Sequence, residues 1–182
     1  MRITRRKFLQ SLGLLYGSVL YLPSCRRNDS EYRVFTSSEA DTLIALCEQI
    51  IPADHDPGAT DAGVIYFIDR LLHQRFPELL PVYQYGLKAL DQSVRELYGF
   101  PFISLSSGLQ MEVLKKMEMD ELPATYWKER KSSSFFNQVI RNTMQGFYGS
   151  PRHGGNKNYA SYRMLKLDFP LVVGQNRYNH GR

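Results

Sequence analysis

Asp54, His55 and Asp56 stand side by side, and carboxylates next to an imidazole are the raw material of a metal site. A calcium loop of EF-hand type starting at Asp54 needs further oxygen ligands at fixed spacing. Gly58 falls at its third ligand position and Ile65 at its last, so the triplet reads as a solvated turn. The four histidines, His55, His73, His153 and His180, show no paired ligand spacing. Covalent haem attachment needs C-x-x-C-H, which the two cysteines, Cys25 and Cys47, do not form. Nicotinamide and flavin sites carry a glycine fingerprint between a strand and a helix; His153-Gly154-Gly155-Asn156 is glycine-rich but follows a helix. Nucleophile elbow, Walker loop and H-E-x-x-H are all missing from the sequence. The chain offers no self-contained active site, and its own reading is non-catalytic, with no cofactor and no metal.

One stretch still carries chemistry of another kind. Residues 135–158 read FFNQVIRNTMQGFYGSPRHGGNKN, an aromatic-faced helix that runs into Gly, Pro and Asn. Glycines there permit close backbone approach or positive φ. Phe147 and Tyr148 put large apolar groups beside Gly149, His153, Gly154, Gly155 and Asn156, which suits a loop docking against another protein. The competing reading, a helix cap and surface loop packed on its own bundle, stays open at this point.

The elements that position this stretch are helical. Thr36 and Glu39 make a capping box, followed by Leu43, Ile44, Leu46, Cys47, Ile50 and Ile51 on one face up to Pro52. Cys47 lies on that apolar face and reads as a small buried hydrophobe. After the loop 52–63, a second helix from about Ala62 to Phe76 carries Val64, Ile65, Phe67, Ile68, Leu71 and Leu72. A third, from about Leu79 to Tyr98, carries Tyr83, Leu87, Leu90, Val94 and Leu97. Ser107 and Gln110 suggest a second capping box before Leu109, Val113, Leu114 and Met117. The fifth, from about Ser134 to Phe147, turns Phe135, Phe136, Val139, Ile140, Thr143 and Met144 inward, and Gly149 stands where a left-handed cap is expected. Leu171-Val172-Val173 is too short to carry a sheet. The expected fold is an all-α bundle of about five helices with an irregular Gly/Pro/Asn-rich C-terminal segment.

The N-terminus is an address. Thr4-Arg5-Arg6-Lys7-Phe8-Leu9 is close to the twin-arginine consensus S/T-R-R-x-F-L, with Arg5, Arg6, Phe8 and Leu9 its recognition residues. The apolar run from Phe8 to Leu22 is shorter than the ~20 residues a bilayer-spanning helix needs and reads as a signal-peptide core. Leu22-Pro23-Ser24-Cys25 resembles a lipobox, which would leave Cys25 as a lipidated N-terminus and Cys47 without a disulfide partner. The expected organisation is a leader over 1–24, a polar tether over 25–33 and one helical domain over 34–182, exported to the periplasm or envelope and held to the membrane by lipid. Setting aside Arg2, Arg5, Arg6 and Lys7 reduces the chain's 23 basic residues to 19 against 18 acidic ones. No basic stripe of sequence remains to argue for nucleic acid.

Taken together, Ile50-Ile51-Pro52-Ala53-Asp54, Pro57-Gly58-Ala59, Ile68-Asp69, Phe135-Phe136 and Gly146-Phe147-Tyr148-Gly149 through Gly154-Gly155-Asn156 resemble the gluconate 2-dehydrogenase subunit 3 family. The resemblance runs from about Phe35 to Leu165. It implies an accessory subunit with no catalytic residues of its own. The implied partners are an FAD-dependent dehydrogenase subunit of the glucose-methanol-choline type and, often, a cytochrome c subunit, so that FAD and haem c sit in the partners. It also supplies a reason for the leader: a flavoprotein that folds around its cofactor before export, and lacks an address, crosses only when bound to a companion that has one. The alternative is a free-standing envelope lipoprotein that binds a small ligand in its bundle.

Overall fold

The computed structural model describes residues 31–167. Among them are six α-helices and no strand: α1 Ser37–Ile50, α2 Val64–Gln74, α3 Leu80–Tyr98, α4 Ser107–Glu118, α5 Ser132–Tyr148 and the short α6 Ala160–Met164. The five long helices are those expected from the apolar spacing. The Gly/Pro/Asn-rich stretch up to Met164 is two 3₁₀ turns, Pro151–His153 and Lys157–Tyr159, followed by α6. Its continuation, with Leu171-Val172-Val173, lies outside the described residues.

α5 is the centre of the bundle, packing against each of the other five helices. Its sequence explains why: Phe135, Val139, Thr143 and Phe147 recur at spacings of four and are fully buried, which gives one helix an apolar stripe wide enough for several neighbours. The Phe135 ring meets Tyr83 edge-on, with centroids 5.8 Å apart. Gly86 makes that approach possible, since a Cβ there would sit 2.4 Å from the Phe135 ring. Tyr83 is itself buried, its hydroxyl accepting a bond from Asn142 Nδ2 at 2.8 Å, and burial pushes its phenol above the ordinary range. Trp127, in the connection before α5, donates Nε1–H to Ser93 Oγ at 3.0 Å and packs edge-on against Tyr85.

The α1 capping box forms as expected: Glu39 N–H donates to Thr36 Oγ1, and Thr36 N–H donates to the Glu39 carboxylate. Cys47 is buried, accepts a bond from Thr143 Oγ1 at 3.2 Å, and has its thiol pushed up to about 12 by burial. It is a core residue, not a nucleophile.

Other local expectations are corrected. The box at Ser107 and Gln110 does not form. Ser106 is the cap residue, with no side-chain cap bond, while Gln110 turns inward to donate to the Phe102 carbonyl and accept from Gln49. Leu97, Leu109 and Met144 are exposed although they continue the apolar spacing. Leu97 and Leu109 stand near helix ends, where the stripe outruns its neighbours. Met144 follows Thr143, which takes the inward direction against Cys47. Gly149 ends α5 in extended backbone (φ −74°, ψ 178°), not in the left-handed region. Its lack of a side chain serves space, because a Cβ there would lie 2.4 Å from the Gln145 carbonyl oxygen.

Candidate functional site

After Gly149 the chain folds back as a strap over the C-terminal end of α5 and the N-terminal end of α2. Three close approaches at glycines define it. Gly154 adopts φ +105°, and a Cβ there would come within 3.2 Å of the Tyr66 carbonyl oxygen. A Cβ on Gly155 would lie 2.2 Å from the Gly146 carbonyl oxygen, so strap and helix touch backbone to backbone. Gly146 in turn faces Phe67 of α2, 2.9 Å from the position of its missing Cβ. Asn156 fixes the loop from within: Nδ2 donates to the Gly149 carbonyl at 2.8 Å, and Oδ1 accepts from Ser161 N–H at 2.9 Å. Lys157 N–H donates to the Ala62 carbonyl at 2.9 Å. Asn156, Asn158 and Tyr159 all have positive φ, an arrangement that Asn tolerates better than Tyr.

The same end of α2 holds the start of the domain. Asp69 is buried, and one of its carboxylate oxygens accepts the backbone N–H of both Arg33 and Val34 at 2.9 Å. Phe35 follows directly into the core. One turn before Asp69, the Tyr66 hydroxyl donates to Glu31, and its ring lies 5.7 Å from that of Tyr32. The Glu31 carboxylate is the main cause of a Tyr66 phenol pushed up to about 12. Burial, then Glu31, raises Tyr32 as well. One turn further along, Arg70 Nη1 donates to the Arg152 carbonyl at 3.0 Å, and Arg152 Nε donates to His153 Nε2 at 3.0 Å. Tether, α2 and strap therefore meet on one face.

The residues expected to dock a partner divide within this geometry. Phe147, Gly155 and Asn156 are buried in the chain's own fold and shape the strap from inside. Gly149 and Gly154 are half-buried. Tyr148 and His153 are exposed. The surface a second protein could touch here is thus Tyr148 with Met144, one helical turn before it, and the outer edge of the strap. Two residues organise the site: Asp69, which sequence reasoning gave no role, and Asn156, which it placed on the docking surface and which instead braces the loop from inside. Asp69 did leave a signal, a carboxylate inside the Ile65–Ile68–Leu72 apolar stripe. Asn156 left none.

Elsewhere, Asp54, His55 and Asp56 form an exposed turn. His55 Nδ1 is 3.3 Å from Asp54 and Nε2 is 3.4 Å from Asp56, while Asp54 Oδ1 accepts the Asp56 N–H at 2.8 Å. Asp54 and His55 are exposed and Asp56 is half-buried. A surface groove of about 420 Å³ between the start of α1 and the middle of α3 is lined by Thr36, Glu39, Gln84, Lys88 and Asp91. It is an open furrow of mixed polar and apolar lining, with Tyr85 and Leu87 among its walls.

The model of the family described as gluconate 2-dehydrogenase subunit 3 matches residues 37–168. The chain belongs to this family. The match spans all six helices, and with them the strap and the α2 face. No curated protein and no solved structure matches the chain. Gluconate 2-dehydrogenase subunit 3 is an accessory subunit, so membership makes this chain an accessory component of a multi-subunit dehydrogenase complex. Arg5, Arg6, Phe8, Leu9 and Cys25, which carry the export and lipid expectations, lie outside the described residues. Among the described residues no helix is long and apolar enough to cross a membrane.

Proposed function

We propose that this chain is the non-catalytic accessory subunit of an exported, FAD-dependent sugar, sugar-acid or polyol dehydrogenase, and that it provides the twin-arginine signal for the whole complex. FAD belongs to the partner, a glucose-methanol-choline-type flavoprotein, and haem c to a cytochrome subunit where one is present. The observation that carries this reading is the family match over residues 37–168 standing behind the leader Thr4-Arg5-Arg6-Lys7-Phe8-Leu9. A folded flavoprotein without its own address needs an escort, and this bundle has an address and no visible chemistry of its own.

The docking surface is the outward side of α5, Met144 and Tyr148, continued by Gly149 and His153. Phe147, Gly154, Gly155 and Asn156 hold it rigid from behind. An interface that forms in the cytoplasm and survives translocation needs an area on the order of 1,600 Å² in total, so further surface must join this patch. Cys25, lipidated after cleavage, then holds the delivered complex at the membrane.

Replacing Arg5-Arg6 by Lys-Lys should strand both this chain and its flavoprotein in the cytoplasm, read by fractionation and by flavin absorbance of the tagged complex. A flavoprotein that still reaches the envelope refutes the escort role. A mature chain recovered alone from native cells would favour the free-standing lipoprotein instead.

A further inference from the structure

The outward side of α5 carries a single charge, and no carboxylate among the described residues meets it. Arg141, Met144 and Tyr148 stand at i, i+3 and i+7, an exposed row on the far side of the helix from buried Val139, Thr143 and Phe147. The helix contains no Asp, Glu or Lys. One turn to either side of Arg141 stand Asn137, Gln138, Met144 and Gln145, so the positions from which a carboxylate could reach it along the helix hold none. Arg95 and Lys116, by contrast, have such partners in Asp91 at 2.7 Å and Glu112 at 3.6 Å.

The neighbouring elements do not supply one either. From Arg130 to Leu167 the sequence has no Asp or Glu, so the strap and α6 contribute nothing. α4 runs antiparallel to α5, with Ser132 Oγ donating to the Met117 carbonyl and Ser133 N–H to Asp120. Glu118, Asp120 and Glu121 therefore gather at the start of α5, and Arg141 lies ~14 Å further along the axis. Glu112, earlier in α4, is turned toward the end of α3, where it accepts from the Tyr98 hydroxyl at 3.2 Å. Asp69 of α2 is buried beneath the tether. Among the described residues, Arg141 forms no ion pair.

We infer that the flavoprotein seats a carboxylate on Arg141, and that α5 docks as a helix laid in a groove, anchored by Arg141, Met144 and Tyr148. This rests on the docking reading above and names what the partner presents there. Arg, Met and Tyr are enriched at interfaces, whereas Lys, Asp and Glu are depleted, which is the composition of this face. The i, i+3, i+7 row is the spacing by which a helix fills a groove. A guanidinium covered by a partner loses its water, and without a counter-charge that loss is uncompensated. A carboxylate on the flavoprotein supplies the counter-charge, and its two parallel bonds to the guanidinium fork fix the register of docking as well.

The test uses the flavoprotein captured from native cells by the tagged parent chain, recognised by its flavin absorbance, purified, and titrated with parent and variant chains. Arg141→Gln should weaken binding at least about 30-fold, and Arg141→Glu further. Added salt should slow association of the parent more than that of Arg141→Gln. Lys88→Gln, which removes an exposed, unpaired cation from α3, should bind as the parent does. All three variants should keep the parent's melting temperature, since both side chains are exposed. An Asp→Lys or Glu→Lys change on the flavoprotein that restores binding of Arg141→Glu would identify the carboxylate. Undiminished binding by Arg141→Gln overturns the inference and leaves the accessory role standing. Equal weakening by Lys88→Gln overturns it too, because the effect would then belong to overall charge. A parent chain that captures no flavoprotein refutes the accessory role and the inference with it.

Discussion

Truncating Asp69 should free the tether from the bundle. The residue is 5 % exposed, and its carboxylate accepts the N–H of Arg33 and of Val34, each at 2.9 Å. Hydrogen bonds to a charged group are worth roughly 1.5–3 kcal/mol each, but water can replace part of that for amides near the surface. Asp69→Ala is therefore expected to cost about 2–4 kcal/mol. Asp69→Asn keeps a carbonyl oxygen in the same place, and neutral bonds are roughly half as strong, so about 1 kcal/mol is expected. For a domain of this size each kcal/mol lowers the melting temperature by roughly 2–4 °C. Thermal melts of the two variants should separate clearly, and hydrogen exchange at the Arg33 and Val34 amides should rise sharply in the alanine variant alone. An alanine variant that melts within ~1 °C of the parent with both amides still protected would refute the clamp.

Gly155→Ala places a methyl group 2.2 Å from the Gly146 oxygen and 2.8 Å from its carbonyl carbon. Neither atom is a side chain that could yield, so a loss of about 1–3 kcal/mol is expected in denaturant unfolding. Gly108→Ala is the control, because a Cβ there meets nothing within 4 Å and the position is helical; it should stabilise by roughly 0.5–1 kcal/mol. Asp120 supplies the acid-sensitive contact of the fold. It accepts Ser133 N–H at 2.8 Å at the start of α5, along with the hydroxyls of Ser132 and Ser133, and these bonds hold its carboxyl below the usual carboxylate range. Because the folded state depresses this pKa, its contribution is full above the unfolded value of about 3.9 and disappears as pH falls through the folded one. Asp120→Asn should accordingly melt below the parent at neutral pH and converge with it in strong acid; a constant gap at every pH contradicts the assignment.

Most of the bundle was legible because its signals are local. Helical spacing, Thr36 with Glu39, and Pro52 specify elements from neighbours a few residues apart. What was illegible depends on contacts across the chain. Gln110 looks like a capping residue until the Phe102 carbonyl and Gln49 claim its amide. Phe147 looks like half of an exposed aromatic pair until α5 proves to be surrounded by every other helix.

The glycine-rich strap shows why such a loop, read as a string, suggests a ligand cradle. Gly146, Gly149 and Gly155 each lack a side chain where another backbone or ring already stands, and Asn156 spends its amide on Gly149 and Ser161. The space that a cradle would offer is filled by the protein itself. For an accessory subunit this is an advantage in binding. Ordering a loop at an interface costs on the order of 0.5–1.5 kcal/mol for each side chain immobilised, and a strap already locked between α2 and α5 avoids most of that cost. A rigid Met144–Tyr148 surface suits the docking role proposed for it.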